Sequence, residues 1–365
     1  MEEGRYVREK KITMKDIAVH LNIDRTTVSK ALSANPGLSQ AMVEKVKRAA
    51  KELGYHKDPF ASGLMTGKNA VLGIVIANEI NRNIYASFVR SFEQVAQDHQ
   101  HAVIICHVER KKEDLLKAIR LLRQQRVSGA TFVAGTHEEL DEQYIIDLTE
   151  SGMAINVTGS RFSHDSVDSI QYDHKRAGYD LTRYLIEQGH RHIMMISLPG
   201  VVLKLLDDTE RISPRDSNNL RTQGYLQAMH EAGLPASVVV AMKTTKPSII
   251  VQDCYMTLKA TGGNLGQTSA IVGASDDHAL GVLFALKEFG ITVPRQISVV
   301  GFDDAYANLG VPQLTTMRVP LRESGETAGR LLIERMKAPG KEKARIVLPY
   351  EMIVRGSTSP VNQPV

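Results

Sequence analysis

Two cysteines in 365 residues, Cys106 and Cys254, are too few for a disulfide framework or a cysteine-based zinc site. Each sits in apolar or mixed sequence and reads as a reduced core thiol rather than a nucleophile. The N-terminus, MEEGRYVREKK, lacks the apolar segment of a secretory signal. The longest apolar run, near Ala70–Ala77, falls far short of the roughly 20 residues that span a bilayer. No strand–turn–helix carries a dinucleotide or Walker fingerprint. Gly262-Gly263-Asn264-Leu265-Gly266 is glycine-rich, but it follows a helical stretch, lacks a lysine and reads as a plain loop. His190 and His192 flank Arg191 at a turn with no carboxylate at metal-site spacing, and read as solvated loop residues. His137-Glu138-Glu139 is not an HExxH motif. No metal and no cofactor are expected. With 42% hydrophobic and 24% charged residues the chain can bury ordinary cores and is not globally disordered. The expectation is a soluble, cytoplasmic protein of two or three domains.

Net charge is also scarce, at +4, and it is unevenly placed. Residues 1–68 hold 13 Lys+Arg against 8 Asp+Glu, a net +5, which leaves −1 for everything that follows. A basic head on a near-neutral body suits a module for a polyanion attached to something else, or reflects chance enrichment around a solvated tail.

Residues 1–12 read as a loose tail. Thr13-Met14-Lys15-Asp16 matches a capping box, in which an N-cap hydroxyl pairs with an acidic side chain three residues on. Ile17, Ala18 and Leu21 follow at helical spacing. Asp24 is a second N-cap, and Arg25 to Leu32 places Val28, Ala31 and Leu32 on one face. Ser39 starts a third helix that buries Val43, Val46, Ala50 and Leu53 and stops at Gly54. Three short helices, the first two joined by a tight turn, outline a helix-turn-helix unit over residues 13–57. The second helix of such a unit enters the major groove. Its polar positions are Arg25, Thr26, Ser29 and Lys30; Arg and Lys donate to guanine O6 and N7, and Thr and Ser reach bases or phosphates. The helix start at Ser39 offers free N–H groups to a phosphate. A small three-helix domain that binds protein would look similar.

Residues 58–69 form a linker. Asp58 can cap and Pro59 can open one and a half turns of helix before Gly67, too short to be stable alone. It is either a flexible tether or a helix that forms on binding. From Ala70 onward, apolar strand-like runs alternate with helical ones: 71–77, 102–108, 129–134, 154–159, 192–197, 238–242, 269–275 and 297–303. Fully apolar strands between amphipathic helices mean parallel sheets covered on both faces. There are too many strands for one sheet, so two doubly wound lobes are expected, with a ligand at the carboxyl ends of the strands between them. Asp276-Asp277 and Asp303-Asp304 could serve as the acid and base of a glycosidase. Alternatively, one of each pair orients a ligand hydroxyl while the other caps the next helix.

The run MKDIAVHLNIDRTTVSKALS, followed by a Ser-initiated helix ending KELGY, resembles the N-terminal domain of the LacI/GalR family of bacterial repressors without a gap from Thr13 to Tyr55. The resemblance extends over the body to about Gly356 through IQYDHKRAG, GHRHI, RTQGYLQAMHEAGL, SDDHALG, VPRQISVVGFDD, QLTTMRVP and VLPYEMIVR, in order. It implies an all-α helix-turn-helix DNA-binding domain followed by an α/β periplasmic-binding-protein-like two-lobed domain with doubly wound parallel sheets. The body would span residues 70–356, with an N-lobe of 70–172 and 302–331, a C-lobe of 173–301 and 332–356, and a tail of 357–365.

The resemblance further implies that positions matching Arg25, Thr26 and Lys30 contact bases. Those matching Thr13, Thr27, Ser29, Ser33 and Ser39 would hold the DNA backbone. Leu64 matches a leucine that wedges into the minor groove from a hinge helix paired across a homodimer. Lys30 stands where Arg is usual and lacks its bidentate fork, so base preference there should soften. Asp24 replaces a Ser. In the linker, Lys57, Pro59 and Ser62 depart from the common Pro, Ala and Arg.

In the body, Arg221 and Asp276 match effector-gripping positions, and Ile84 and Tyr85 match positions that stack on the effector. Read without the family, Arg221 could equally pair with a neighbouring acid and Tyr85 could pack at a helix start. Ser275 replaces an Asn, and Thr158-Gly159-Ser160 lacks an Asp common in the family. The segment 198–219 is longer than usual and would serve as a lid or an interaction surface. Together these features imply a repressor of pseudo-palindromic operator DNA, acting as a homodimer under a small effector, a sugar or sugar derivative. A sugar-acting enzyme using the cleft aspartates is the alternative.

Overall fold

In the head, three helices fold because each one has a polar start and an apolar stripe. The computed structural model describes residues 12–32, 38–55, 70–77, 83–108, 112–134, 142–159, 167–197, 217–240 and 247–361. Helices α1 (Met14–Leu21), α2 (Arg25–Leu32) and α3 (Gln40–Glu52) make up the described head. At the start of α1, the Thr13 amide and hydroxyl both donate to Asp16, at 2.8 and 2.6 Å. Asp24 accepts from the Thr26 amide at 2.9 Å and caps α2, and Ser39 accepts from the Met42 amide and caps α3. Asn22 turns the chain between α1 and α2 in the left-handed region, at φ 50°. Ile17, Val28 and Val46, one from each helix, have no exposed surface. Each contributes about 1.5–3 kcal/mol by leaving water.

The chain divides into two compact units at Asn69/Ala70. The second contains two six-stranded sheets, ordered β11-β5-β4-β3-β1-β2 and β12-β10-β9-β8-β6-β7. The first sheet comprises β1 (Val71–Ala77), β2 (Ala102–His107), β3 (Gly129–Ala134), β4 (Ala154–Thr158), β5 (Asp168–Tyr172) and β11 (Arg345–Leu348). The second comprises β6 (Ile193–Ser197), β7 (Ser237–Val240), β8 (Ala270–Gly273), β9 (Ser298–Asp303), β10 (Thr315–Arg318) and β12 (Glu351–Ile353). All pairings are parallel except β10 with β12. The central parallel strands, such as β1, β4 and β8, are buried on both faces, which explains their apolar sequence. Between them run α4 (Ala86–Asp98), α5 (Lys112–Gln124), α6 (Glu142–Glu150), α7 (His174–Glu187), α8 (Ser217–Glu231), α9 (Pro247–Lys259), α10 (Asp276–Glu288) and α11 (Leu321–Lys337).

Two boundaries differ from the expectation. Residues 302–318 stay in the second sheet, because β9 continues to Asp303 and β10 pairs beside it in register, Thr315 with Val300. All of α11, including 332–337, belongs to the first lobe. Its Gly325 and Gly329 lie against Phe88 and Val95 of α4, and Asn156 of β4 donates to the Ala328 carbonyl at 2.8 Å. Arg335 grips Asp168 of β5 with two nitrogens, at 2.8 and 3.0 Å, and both side chains are buried. The three crossings therefore fall at Tyr172–Asp173, at Arg318–Leu321 and at Leu348–Glu351. Residues 357–361 are likewise no tail. The Ser357 hydroxyl is buried, donating to the Val299 carbonyl and accepting from the Thr315 amide, and Val361 N–H donates to Gln188 O.

His190 also departs from its reading as a solvated residue. It is buried, with Nδ1 3.0 Å from Ser269 Oγ and Nε2 3.2 Å from the Ser359 carbonyl, because the C-terminal segment covers it. His192 is exposed, and Gly262–Gly266 is a turn with all three glycines at positive φ, as the sequence suggests.

Helices α7 and α8 cross in near-contact. A Cβ on Gly178 would sit 2.1 Å from the Arg221 carbonyl oxygen, and one on Gly224 would sit 2.1 Å from that of Lys175. Neither obstacle is a flexible side chain, so the backbones themselves must part. Gly178→Ala should therefore lower unfolding free energy by about 1–3 kcal/mol or more, measured by urea denaturation. It should also displace Arg221.

Candidate functional site

On the head, Arg25, Thr26 and Lys30 are exposed on α2, while Thr27 and Ser29 are partly buried beside the core. Thr13 and Ser39 are exposed at the starts of α1 and α3. The structure thus puts two cations and several neutral donors along one short helix and its neighbouring helix ends. The Thr26 hydroxyl is engaged with Asp24 Oδ1 at 3.0 Å. These contacts hold the Asp24 carboxyl below its ordinary range, so the cap stays ionised. Ser33 and Leu64 lie outside the described residues, as do 58–69 and 198–216.

In the body, the seam between the two sheets collects a polar cluster around Arg221. This side chain leaves α8 and is 5% exposed. Its Nη1 donates to the Ala274 carbonyl at 2.7 Å, and its Nη2 donates to Asp303 Oδ1 at 2.7 Å and to the Tyr350 hydroxyl at 3.0 Å. The guanidinium lies over the Phe302 ring, 4.8 Å from its centroid. Burial works against its charge, but Asp303 and Tyr350 more than compensate and shift its pKa upward. Asp303, 9% exposed, ends β9 at φ 105°, and Asp304 follows at φ 57°. Two successive non-glycine residues in this region store strain, which the ion pairs hold in place. Asp304 meets Arg318 and Arg355, each at 2.8 Å.

The first lobe supplies aromatic faces. Tyr172, the last residue of β5, meets Tyr350 edge-on at 6.3 Å and His174 at 5.9 Å. Its hydroxyl is 2.8 Å from Ser324 Oγ at the start of α11. Ile84 and Tyr85, before α4, pack in the same cluster as Tyr172 and Tyr350. Tyr85 is near enough to raise the pKa of both phenols, although burial is the larger cause. Burial pushes Tyr350 up to about 12, so it is neutral.

Of the four effector candidates, Ile84, Tyr85 and Arg221 converge on this cluster. Asp276 lies behind it. Its Oδ1 accepts from Thr316 Oγ1 at 2.7 Å and its Oδ2 from the Ala305 amide at 2.9 Å, with 1% of the residue exposed. Both oxygens are thus occupied by the second lobe's own donors. Gly301 makes room for them, since a Cβ there would lie 2.5 Å from Asp276 Oδ1. Burial, followed by the neighbouring Asp303 charge, pushes the Asp276 carboxyl up to about 8. Asp276 is thus tied down by its own lobe, and Asp303 and Asp304 are held by arginines.

Tyr172, His174 and Tyr350 of this cluster were not among the residues singled out in the sequence, whereas one of Asp303-Asp304 was expected to orient a ligand hydroxyl, without a choice between the two. Among the described residues no group of three His, Cys, Asp or Glu is placed to hold a metal, and no helix is long and apolar enough to cross a membrane.

A small helix-turn-helix head ahead of two doubly wound lobes with a charged, aromatic seam defines a DNA-reading, ligand-sensing protein. Residues 13–58 match the profile described as bacterial regulatory proteins, lacI family, and residues 182–358 match that of the periplasmic binding protein-like domain. The ribose operon repressor of Escherichia coli K12 is 29% identical over 348 residues, covering 94% of this chain and 99% of the relative. Catabolite control protein A of Priestia megaterium is 25% identical over 354 residues, covering 95% and 99%. The lac repressor dimer bound to operator and the anti-inducer ONPF superposes with a TM-score of 0.73 at 23% identity, covering 96% of this chain and 100% of that one. The chain is a transcriptional regulator with a lacI-family head, similar over nearly its whole length to regulators of that family.

Removing the Asp276 carboxylate should act on stability. Asp276→Ala leaves two buried donors without an acceptor, at about 1–3 kcal/mol each. The native carboxyl titrates near 8 and an ordinary one near 3.8. Between those values the folded state retains a proton that the unfolded state has lost, so stability falls as pH rises. Denaturant titrations across this window should show the Asp276 contribution in the native protein and its absence in the variant.

Proposed function

We propose that this regulator is a repressor whose α2 reads a pseudo-palindromic operator and whose seam binds a small uncharged polyhydroxy effector, a sugar or sugar derivative. The carrying observation is the Arg221–Asp303 pair, a forked donor beside an acceptor, with Tyr350 bonded to the same guanidinium, Tyr172 edge-on to that ring and Tyr85 in the same cluster. A fork and a carboxylate suit vicinal hydroxyls, and aromatic faces suit the C–H surface of a sugar ring. Solved relatives support the class: one lacI-family regulator from Enterococcus faecium has bound ribose, and the regulator CelR is in complex with cellobiose.

In this reading Arg25 and Lys30 contact bases. Thr26 reaches a base once its hydroxyl turns from Asp24. Thr13, Thr27, Ser29, Ser33 and Ser39 hold phosphates, and paired Leu64 residues open the minor groove. Ile84 and Tyr85 pack on the effector, and Asp276 braces Asp303 from behind. The protein acts in the cytoplasm as a homodimer. Self-association is supported by exposed apolar side chains at two depressions of about 410 Å³: Ile105 and Leu121 along β2 and α5, and Phe284 over half-buried Val251 and Tyr255 between α9 and α10.

Selection from a randomised duplex library should enrich one palindromic sequence; a library left unenriched would refute operator recognition. Lys30→Ala should cost about 1–3 kcal/mol on that sequence and relax preference at one step. Ser39→Ala should weaken all sequences alike and flatten the salt dependence, since a phosphate contact releases counterions. A thermal-shift screen of neutral sugars, ribose and cellobiose included, should show stabilisation without turnover.

A further inference from the structure

Tyr350 stands between β11 of the first sheet and β12 of the second, on the last chain crossing. Its ring packs against the hydrophobic cluster of each lobe, with Leu348 and Tyr172 on one side and Met352 on the other. Its hydroxyl lies 3.0 Å from Arg221 Nη2 and 2.7 Å from His174 Nδ1. His174 follows the first crossing directly and opens α7. One phenol therefore joins the first crossing, the last crossing and the buried arginine of the seam.

The donor inventory gives this link a direction. Arg221 can only donate, so the phenol oxygen accepts from Nη2. The arrangement that gives both of these contacts one donor and one acceptor has the single phenolic proton donated to His174 Nδ1, with the imidazole proton on Nε2. Such bonds weaken steeply beyond about 3.2 Å. A rotation that carries β11 and Tyr350 with the first lobe draws the phenol away from Arg221 and His174 of the second, and so breaks or remakes these bonds. A ligand that engages the Arg221 fork changes the cost of that step. We propose that Tyr350 is the positioning residue that couples effector occupancy at Arg221 to the angle between the lobes. This rests on the effector reading above. It supplies the discrete two-state contact through which ligand binding would shift the conformational population.

The test compares the full-length native protein with Tyr350→Phe, which keeps the ring and removes only the hydroxyl. Operator selected from the library is bound without sugar, then released by titrating D-ribose, cellobiose and a panel of aldohexoses. Sugar affinity is measured separately by calorimetry. In Tyr350→Phe the sugar concentration needed for operator release should rise at least tenfold relative to that variant's own sugar Kd, with operator affinity measured alongside. His174→Ala should reproduce the split. His174→Asn, whose Oδ1 can accept where Nδ1 did, should restore coupling. If release in Tyr350→Phe tracks its Kd as it does in the native protein, Tyr350 has no coupling role. The same conclusion follows if release and affinity weaken in parallel, which would make it a plain ligand contact. If no sugar in the panel releases the native protein, the effector reading fails and takes this inference with it.

Discussion

A guanidinium with only 5% of its side chain exposed must have partners for its charge, and the geometry of the seam follows from that need. An unpaired buried charge costs several kcal/mol, so Arg221 requires an anion and acceptors in fixed places. Asp303 provides the anion, Ala274 a carbonyl and Tyr350 a phenol. These come from the ends of β9 and β8 and from the last crossing. Holding them together ties the carboxyl edge of the second sheet to the strand that returns from the first. The left-handed turn at Asp303-Asp304 is tolerated because Arg221, Arg318 and Arg355 over-determine it.

The arginine reaches this place because α7 and α8 approach so closely. Gly178 and Gly224 remove the two side chains that would keep the backbones apart, and α8 then delivers position 221 over Phe302. Asp276 completes the arrangement from below. It holds Thr316 of β10 and the amide after Asp304, which fixes the turn bearing Asp303. The carboxyl matched to ligand binding has both oxygens on donors of its own lobe. The acceptor beside the arginine is its neighbour in the second aspartate pair.

Much of the fold was legible in the chain. The caps at Thr13, Asp24 and Ser39 and the apolar positions Ile17, Val28 and Val46 specify the head, because local hydrogen bonds and a 3.6-residue period need no distant partner. Strands such as VLGIVIA and AINVT were readable because burial on both faces demands continuous apolar sequence. DSIQY, TTMR, RIVL and EMI carry no such run, since they sit near sheet margins and at crossings, and the chain reading missed them as strands. Without β10 and β11 in view, the lobe boundaries slipped to 302 and 332. His190 looked like a loop residue because the C-terminal segment that covers it is about 170 positions away.

What the sequence determined by itself was whatever depends on neighbours along the chain: three capped helices, the polar face of α2, the alternation of apolar strands with helices, and the resemblance carried by spaced motifs. The tertiary structure alone decided which aspartate meets Arg221, that Asp276 is buried with both oxygens occupied, and that Tyr350 joins two crossings. The reason is range. A cap or a helical stripe is settled within four residues, whereas Arg221 meets Asp303 and Tyr350 across 82 and 129 residues, and only the packing of two sheets brings such groups within 3 Å.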